Sequence, residues 1–315
     1  MSAFFVGIDT SNYTTSVGIV DENGKVIANI KKLLPVASGE CGLRQSDAVF
    51  AHIKNLPEVL AKADEVLCCS EVKAVGYSSR PRNVEGSYMP CFLCGVDTAL
   101  AFKTGRGIDA YAFSHQCGHI SAALTSADAW NIADEKFIAF HVSGGTTEVL
   151  LCKRGDDGFD TEIVGGTRDL SAGQAIDRAG VMMGMGFPCG AELEKEAEKY
   201  TAKIQKAKIS VKDAYCNLSG LQNLSSKVYK DTNDKSATSA FVLDFVARTL
   251  HKMAEDARES YGDMPIVFGG GVMSNKRIRN MLETLGNVCF AEPALSSDNA
   301  VGIAELARQK YFKNR

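Results

Sequence analysis

Apolar residues open the chain in short runs. Phe4–Ile8, Ser16–Val20 and Val26–Ile30 are rich in β-branched and aromatic residues and read as three strands, with Glu22-Asn23-Gly24 as hairpin chemistry between the last two. From about Asp47 to Leu67 apolar positions return every three to four residues, which predicts a helix. A buried strand follows in VKAVGYSS, then a helix ending at Gly105, a strand in GIDAYAFS and a helix in GHISAALTSADAW. The opening design then repeats: Phe137–Val142 is a strand, Gly144-Gly145-Thr146-Thr147 a polar turn, and Glu148–Lys153 a returning strand. Two such units about 130 residues apart imply a duplicated fold. Further on, the pattern predicts a charged helix at Ala191–Lys206, a long helix at Ser236–Tyr261, a strand running into a glycine turn in MPIVFGGGVMSN, and a last helix at Asp298–Tyr311. Strands mixed with helices in both halves make the class α/β.

The chain has 315 residues, more than one core usually holds, so two lobes are expected. Their boundaries fall at 1–133, completed by a C-terminal helix at 298–315, and at 134–297. With 45% hydrophobic and 23% charged residues and a net charge of −3, the composition is that of a globular protein that is not globally basic. A nucleic-acid partner would therefore need a local patch. No window reaches the roughly 18 apolar residues of a membrane helix, and no signal segment opens the chain, so a cytoplasmic location and no membrane partner are expected. Ten cysteines are scattered, with Cys68–Cys69 and Cys91–Cys94 the close pairs. Without a second pair at metal spacing, they read as free, buried thiols.

Three polar turns carry candidate chemistry. In the first, Asp9 to Ser16, hydroxyls and backbone N–H groups suit phosphate oxygens, and Asp9 at a strand end suits a phosphate-bound cation such as magnesium. Asp9 and Ser11 are its candidate catalytic residues. The second turn, Ser143 to Thr147, is of the same kind. The third, Gly269-Gly270-Gly271 running on to Asn275, lets a backbone approach a flat ligand and offers a helix N-terminus. One glycine–serine turn is usually just a turn. Three in this order resemble the two-lobed actin-like ATPase and sugar-kinase (ASKHA) fold, with duplicated βββαβα-type lobes and an ATP- or AMP-type nucleotide in the cleft between them.

His115 and His119 lie four apart in SHQCGHISAAL. On a helix such residues share a face, with Cβ atoms about 6 Å apart, and two imidazoles can reach one metal. A buried or capping histidine pair fits the same spacing. Asp298, in LSSDNAVGIAEL, would supply a third ligand; helix N-capping is its other reading.

Longer matches in order carry a resemblance. GIDTSNYTTSVGIVD, SHQCGH, HVSGGTTEVLL, DLSAGQAIDRAGVMMGMGFPCG, NLSGLQN, FGGGVMSNKRIR and SSDNAVGIA are similar to successive motifs of the TsaD/Gcp family, the threonylcarbamoyl-transferases of tRNA modification, once labelled O-sialoglycoprotein endopeptidases (peptidase family M22). The resemblance implies one divalent iron or zinc ion on His115, His119 and Asp298. It implies nucleotide phosphates against Val142, Ser143, Gly144, Gly145 and Thr146, with Gly270 and Gly271 behind them. Asp177 and Gly190 would hold the ribose and Asn275 the adenine side. The donor would be threonylcarbamoyl-AMP, the acceptor N6 of a tRNA adenosine, and the implied partners an adenylate-forming enzyme and an actin-like paralogue subunit. The peptidase label fits poorly: Gln116 follows His115, where H-E-x-x-H places its general base.

The chain also departs from that pattern. Tyr13 and Thr14 stand where the family has an Asp-Glu pair, Thr146 replaces the histidine of V-S-G-G-H-T, and GLRQSDAVFAHI shares little beyond His52 with V-P-E-L-A-S-R-x-H. Two other readings follow: a divergent paralogue acting as an ATP-binding carbamoyltransferase or kinase on another acceptor, and a non-catalytic nucleotide-binding subunit. Lys195, Lys199, Lys203 and Lys206 recur at helical spacing, but interleaved glutamates make a solvated helix face the plainer reading. Arg80 and Arg82, after a strand end, are candidate anion binders, with a plain loop-surface role as their other reading.

Overall fold

The computed structural model describes residues 3–11, 13–35, 43–68, 70–296 and 298–315. Asn12 of the first turn, Cys69, Gly42 and Ser297 lie outside the described residues. In chain order the elements are β1 (Ala3–Ser11), β2 (Thr14–Asp21), β3 (Val26–Leu33), α1 (Gln45–Leu67), β4 (Glu71–Arg80), α2 (Phe92–Arg106), β5 (Asp109–Ser114) and α3 (His115–Ser126). Then come β6 (Phe137–Val142), β7 (Thr147–Gly155), β8 (Gly158–Thr167), α4 (Ala172–Met182), α5 (Gly190–Glu198), β9 (Ser210–Lys212), β10 (Tyr215–Asn217), α6 (Gly220–Thr232) and α7 (Lys235–Tyr261). β11 (Ile266–Gly269), α8 (Lys276–Glu283), β12 (Val288–Phe290), α9 (Pro293–Ser296) and α10 (Val301–Lys313) complete the chain.

Two compact units result. One comprises Met1–Trp130, Arg154–Asp160 and Asp298–Arg315; the other comprises Asn131–Lys153 and Thr161–Ser297.

The first unit holds a sheet of order β3-β2-β1-β4-β5. β2 is antiparallel to β1 and β3, while β1, β4 and β5 run parallel. β1 and β2 are apolar on both faces because both are covered: α1 and α2 pack on the sheet, and so does α10. The first core gathers Val6, Ile8, Val17, Ile19, Leu56, Val59 and Val75. Helix α10 meets α3 so closely that a Cβ on Gly302 would stand 1.9 Å from the Gly118 carbonyl oxygen. Only glycine allows that approach.

The second unit repeats the order with an extension, β12-β11-β6-β7-β8-β10-β9. Again an antiparallel pair, β6 with β7, adjoins parallel strands, β6 with β11 with β12. Its core runs from Ile138 and Phe140 through Ala175 and Ala179 to Phe241, Leu250 and Phe268. Among the described residues no helix is long and apolar enough to cross a membrane.

Two sequence expectations are corrected here. The charged helix expected to run to Lys206 stops at Glu198. Only Leu193 and Ala197 are buried on it, and beyond it Tyr200, Ile204 and Ala207 pack against the core from non-helical backbone. Lys203 and Lys206 therefore share no helix face with Lys195. The last helix starts at Val301, not Asp298; Asn299 Oδ1 accepts from Val301 N at 3.0 Å.

Candidate metal centre

β5 ends at Ser114, whose side chain accepts from Cys117 N at 3.2 Å and so caps α3. The cap starts the helix at His115, and His119 follows one turn later on the same face. Their Nε2 atoms stand 2.9 Å apart. Asp298 Oδ1 lies 3.7 Å from His115 Nε2 and 3.3 Å from His119 Nε2. Since α10 begins three residues later, Asp298 has no capping job there. It supplies the third corner of a triangle.

Sides of 2.9, 3.3 and 3.7 Å leave one point about 2 Å from all three atoms, the bond length of imidazole and carboxylate to zinc-like cations. The donor set therefore fits a divalent metal of borderline character. All three residues are half-buried.

Behind the triangle stands a layer of orienting contacts. His115 Nδ1 lies 2.8 Å from Asp9 Oδ1; a carboxylate only accepts, so Nδ1 carries a proton, and Nε2 is the nitrogen a metal would take once it has lost its own. Asp9 is fully buried, takes the Ser78 hydroxyl on Oδ1 and accepts from Ser11 N at 3.2 Å on Oδ2. Ser11 Oγ donates to Asp298 Oδ2 at 3.1 Å. Asp9 and Ser11, the candidate catalytic residues, thus stand behind the candidate ligands rather than in front of them. Sequence reasoning missed Ser78, which has no motif around it. It also assigned nothing to His52, whose only signal was the family match. His52 is fully buried, donates from Nε2 to the Ser11 carbonyl at 2.9 Å and accepts from Thr15 Oγ1 at 2.8 Å.

The electrostatics match this arrangement. Burial lowers the pKa of His115, but the Asp9 charge, its hydrogen bond and the Asp298 charge outweigh burial and push it up to about 9. Burial raises the Asp9 carboxyl, and His115 with Ser78 outweighs it, leaving Asp9 below its ordinary value. A raised histidine pKa stabilises the metal-free fold fully below its ordinary 6.5, and that contribution is lost as pH rises through about 9. A metal competes for the same Nε2. Between those two pH values its apparent affinity should rise roughly tenfold per pH unit from His115 alone, and level off above. Titration of the metal-free protein with Zn²⁺ against a competing chelator at several pH values checks this; a flat profile would mean that His115 is not a ligand.

In the second unit, several candidate nucleotide residues converge. Ser143 N donates to Thr146 O at 2.8 Å and Thr146 N to Ser143 Oγ at 3.1 Å, closing the turn after β6. Ser171, in a capping box at the start of α4, donates to Gly144 O at 2.6 Å, and Gly173 N donates to Ser143 O at 3.2 Å. Gly270, with φ +99, passes against Val142 O. Space beside Gly144, Gly145 and Gly271 is open. Asp177 accepts from Cys189 N at 2.8 Å beside Gly190; burial raises its pKa against that bond. Asn275 caps α8 through Ile278 N, so its side-chain oxygen is engaged. Of the close cysteine pairs, Cys91 and Cys94 are buried free thiols, and burial pushes Cys91 up to about 12.

Comparison with known proteins agrees with this architecture. Over residues 35–305 the chain matches the sequence model of TsaD, described as tRNA N6-adenosine threonylcarbamoyltransferase. Relatives of that name include one from Bacillus licheniformis, 28% identical over 334 residues (98% of this chain, 92% of the relative), and one from Methanopyrus kandleri, 25% identical over 306 residues (95% and 85%). Among solved structures, full-length HypF in its phosphate- and nucleotide-bound form superposes with TM-score 0.61 at 12% identity, over 100% of this chain and 47% of HypF. A ROK-family glucokinase from Streptomyces griseus, in complex with glucose and AMPPNP, gives 0.55 at 14% identity, over 97% and 99%. At such identities the structures show the fold alone: α/β, of the actin-like ATPase and sugar-kinase class. A match that spans most of the chain, motif after motif, places it in a family of transferases: this chain belongs to the TsaD family, tRNA N6-adenosine threonylcarbamoyltransferase.

Proposed function

We propose that the chain transfers a threonylcarbamoyl group from threonylcarbamoyl-AMP to N6 of an adenosine in tRNA, at a centre built on His115, His119 and Asp298. The observation that carries this reading is the convergence of three ligand atoms on one point, braced by a buried carboxylate. An iron or zinc ion held there would act as Lewis acid and template. In the reaction the N6 amine attacks the carbamoyl carbon, the carbon–oxygen bond to phosphate breaks, AMP leaves with the electron pair, and the amine gives up one proton. Asp9 keeps the His115 ring fixed with Nε2 forward, and Ser11 holds Asp298 by its second oxygen. To residues 142–146, backed by Gly270 and Gly271, we assign the phosphate oxygens of the nucleotide. Asp177 and Gly190 take its ribose, and Asn275 takes its adenine side. An enzyme that forms the adenylate and an actin-like paralogue subunit complete the proposed system, in the cytoplasm.

Tyr13 and Thr14, in place of two carboxylates, favour a second reading: the same transfer to a different acceptor. The test mixes the protein with ATP, threonine, bicarbonate, an adenylate-forming enzyme and unmodified tRNA, with mass spectrometry of the digested nucleosides. Threonylcarbamoyl-adenosine that disappears with His115→Ala supports the proposal. Its absence, from protein that binds metal and nucleotide, rejects tRNA as acceptor in favour of the second reading.

A further inference from the structure

Strand β1 separates two sets of polar side chains, because alternate residues of a strand face opposite sides of a sheet. Gly7 lies against Ala300 and Ala304 at the start of α10, so Asp9 and Ser11 stand on that face, with the candidate centre. Thr10 stands on the other face, where its hydroxyl donates to Cys91 O at 2.9 Å and accepts from Gly95 N at 3.1 Å. Thr15 pairs with Thr10 in register and shares its face. Helix α1 covers this second face with a buried stripe that includes Ala48, His52, Asn55, Leu56 and Val59.

Two polar side chains in an apolar stripe are costly unless they are hydrogen-bonded. Both are, and the donors fix each direction. The Ser11 carbonyl can only accept, so His52 Nε2 carries a proton and donates to it at 2.9 Å. Burial holds the ring below its ordinary pKa, against the Ser11 bond and the Asp9 charge, and the neutral ring accepts on Nδ1 from the Thr15 hydroxyl at 2.8 Å. Thr15 Oγ1 in turn accepts from Asn55 Nδ2 at 3.3 Å. This relay ends on the peptide of Ser11, which is held at three points. Its N–H donates to Asp9 Oδ2 at 3.2 Å, its hydroxyl donates to Asp298 Oδ2 at 3.1 Å, and its carbonyl accepts from His52. Two of these holds reach the candidate centre and the third comes from α1. β1 ends at Ser11, and strand ends open more readily than strand centres.

We infer that His52 is a positioning residue for the candidate centre: by donating to the Ser11 carbonyl from the α1 side of the sheet, it fixes the hydroxyl that orients Asp298. The inference rests on the proposed metal reading of His115, His119 and Asp298. It adds a residue whose own hydrogen bonds go to none of the three. Asn55 and Thr15 serve it by fixing which nitrogen of the ring carries the proton.

Two substitutions divide the work of the two ring nitrogens. A glutamine amide N–H falls near the place of Nε2, and an asparagine amide oxygen near that of Nδ1. His52→Gln therefore keeps the donor to Ser11 and gives up the acceptor for Thr15; His52→Asn does the reverse. Each leaves one buried group without its partner, so the melting temperatures of the metal-free variants should fall by similar amounts. Zn²⁺ titrated against a competing chelator should separate them: His52→Gln within about twofold of wild type, His52→Asn weaker by roughly tenfold. In a Ser11→Ala background His52→Asn should weaken Zn²⁺ no further, because its effect runs through the Ser11 hydroxyl. His52→Met, which fills the volume without a donor, gives the same reading where the asparagine variant does not fold. His52→Asn or His52→Met that binds Zn²⁺ as wild type does, His52→Gln that binds as weakly as they do, or a further loss in the Ser11→Ala background would each overturn the inference. Wild-type protein that binds no Zn²⁺ rejects the centre and the inference with it. The expected Zn²⁺ pattern without any threonylcarbamoyl transfer supports the role of His52 and rejects only the reaction assigned to the site.

Discussion

Asp298→Ala protein should emerge from purification with less than roughly a tenth of the wild-type metal, and its transfer rate should fall about a thousandfold or more. Orienting partners of metal ligands are worth 10–100-fold in affinity, and a ligand is worth more. Of the three candidate ligand atoms, Asp298 Oδ1 is the only carboxylate oxygen, so its removal leaves only imidazole nitrogens for a doubly charged ion. The fold should hardly respond. Asp298 is partly exposed, lies outside α10 and caps nothing there. Its melting temperature without metal should stay within a few degrees of wild type. Asp9→Ala should behave differently. Asp9 is fully buried and accepts from His115, Ser78 and Ser11, so its loss leaves buried donors unsatisfied and should cost about 2–4 kcal/mol of stability along with the metal. Metal analysis beside thermal melts separates the two. Full metal occupancy in Asp298→Ala would remove the site from the molecule.

The second large effect is expected at Gly302. A Cβ there would fall 1.9 Å from Gly118 O and 2.6 Å from Ala122 N, backbone atoms of α3 that no side-chain rotation can move. Gly302→Ala must push α10 away from α3, although residues Val301 to Ala307 of α10 are all buried. Overpacking of this kind should cost roughly 3 kcal/mol or more. Because α3 carries His115 and His119 while Asp298 precedes α10, the same displacement should weaken metal binding. Gly105→Ala is the control: it lies within α2, its Cβ meets nothing within 4 Å, and a helical alanine should gain a few tenths of a kcal/mol up to about 1. Denaturant midpoints of the two variants decide the matter; equal midpoints would mean that the helix contact is looser than described.

Much of the architecture was readable from periodicity. The three opening strands, the repeated unit and the helix carrying two histidines one turn apart all follow from local pattern, because each element buries its own face. What stayed hidden depends on contacts between distant positions. Ser78 reaches Asp9 across 69 residues and His52 reaches Thr15 across 37. No local spacing marks either pair. Asp9 looked like a reactive group because its turn is polar, whereas the sheet turns it inward, under His115. The end of α5 was misread for a related reason: the alternation of glutamate and lysine continues past Glu198, while the buried stripe of Leu193 and Ala197 does not. Charge pattern carried the expectation further than packing supports.

The route of the chain through α10 has a consequence for biosynthesis. The histidines are made early, yet the carboxylate that joins them is made about 180 residues later, and the helix that closes the first unit follows still later. A nascent or prematurely terminated polypeptide ending before Asp298 carries two imidazoles and an uncovered sheet, and at the proposed centre it would retain metal only weakly. At the proposed centre, stable metal capture would thus report that translation has passed this point, and stalled fragments would remain both inert and open to proteolysis.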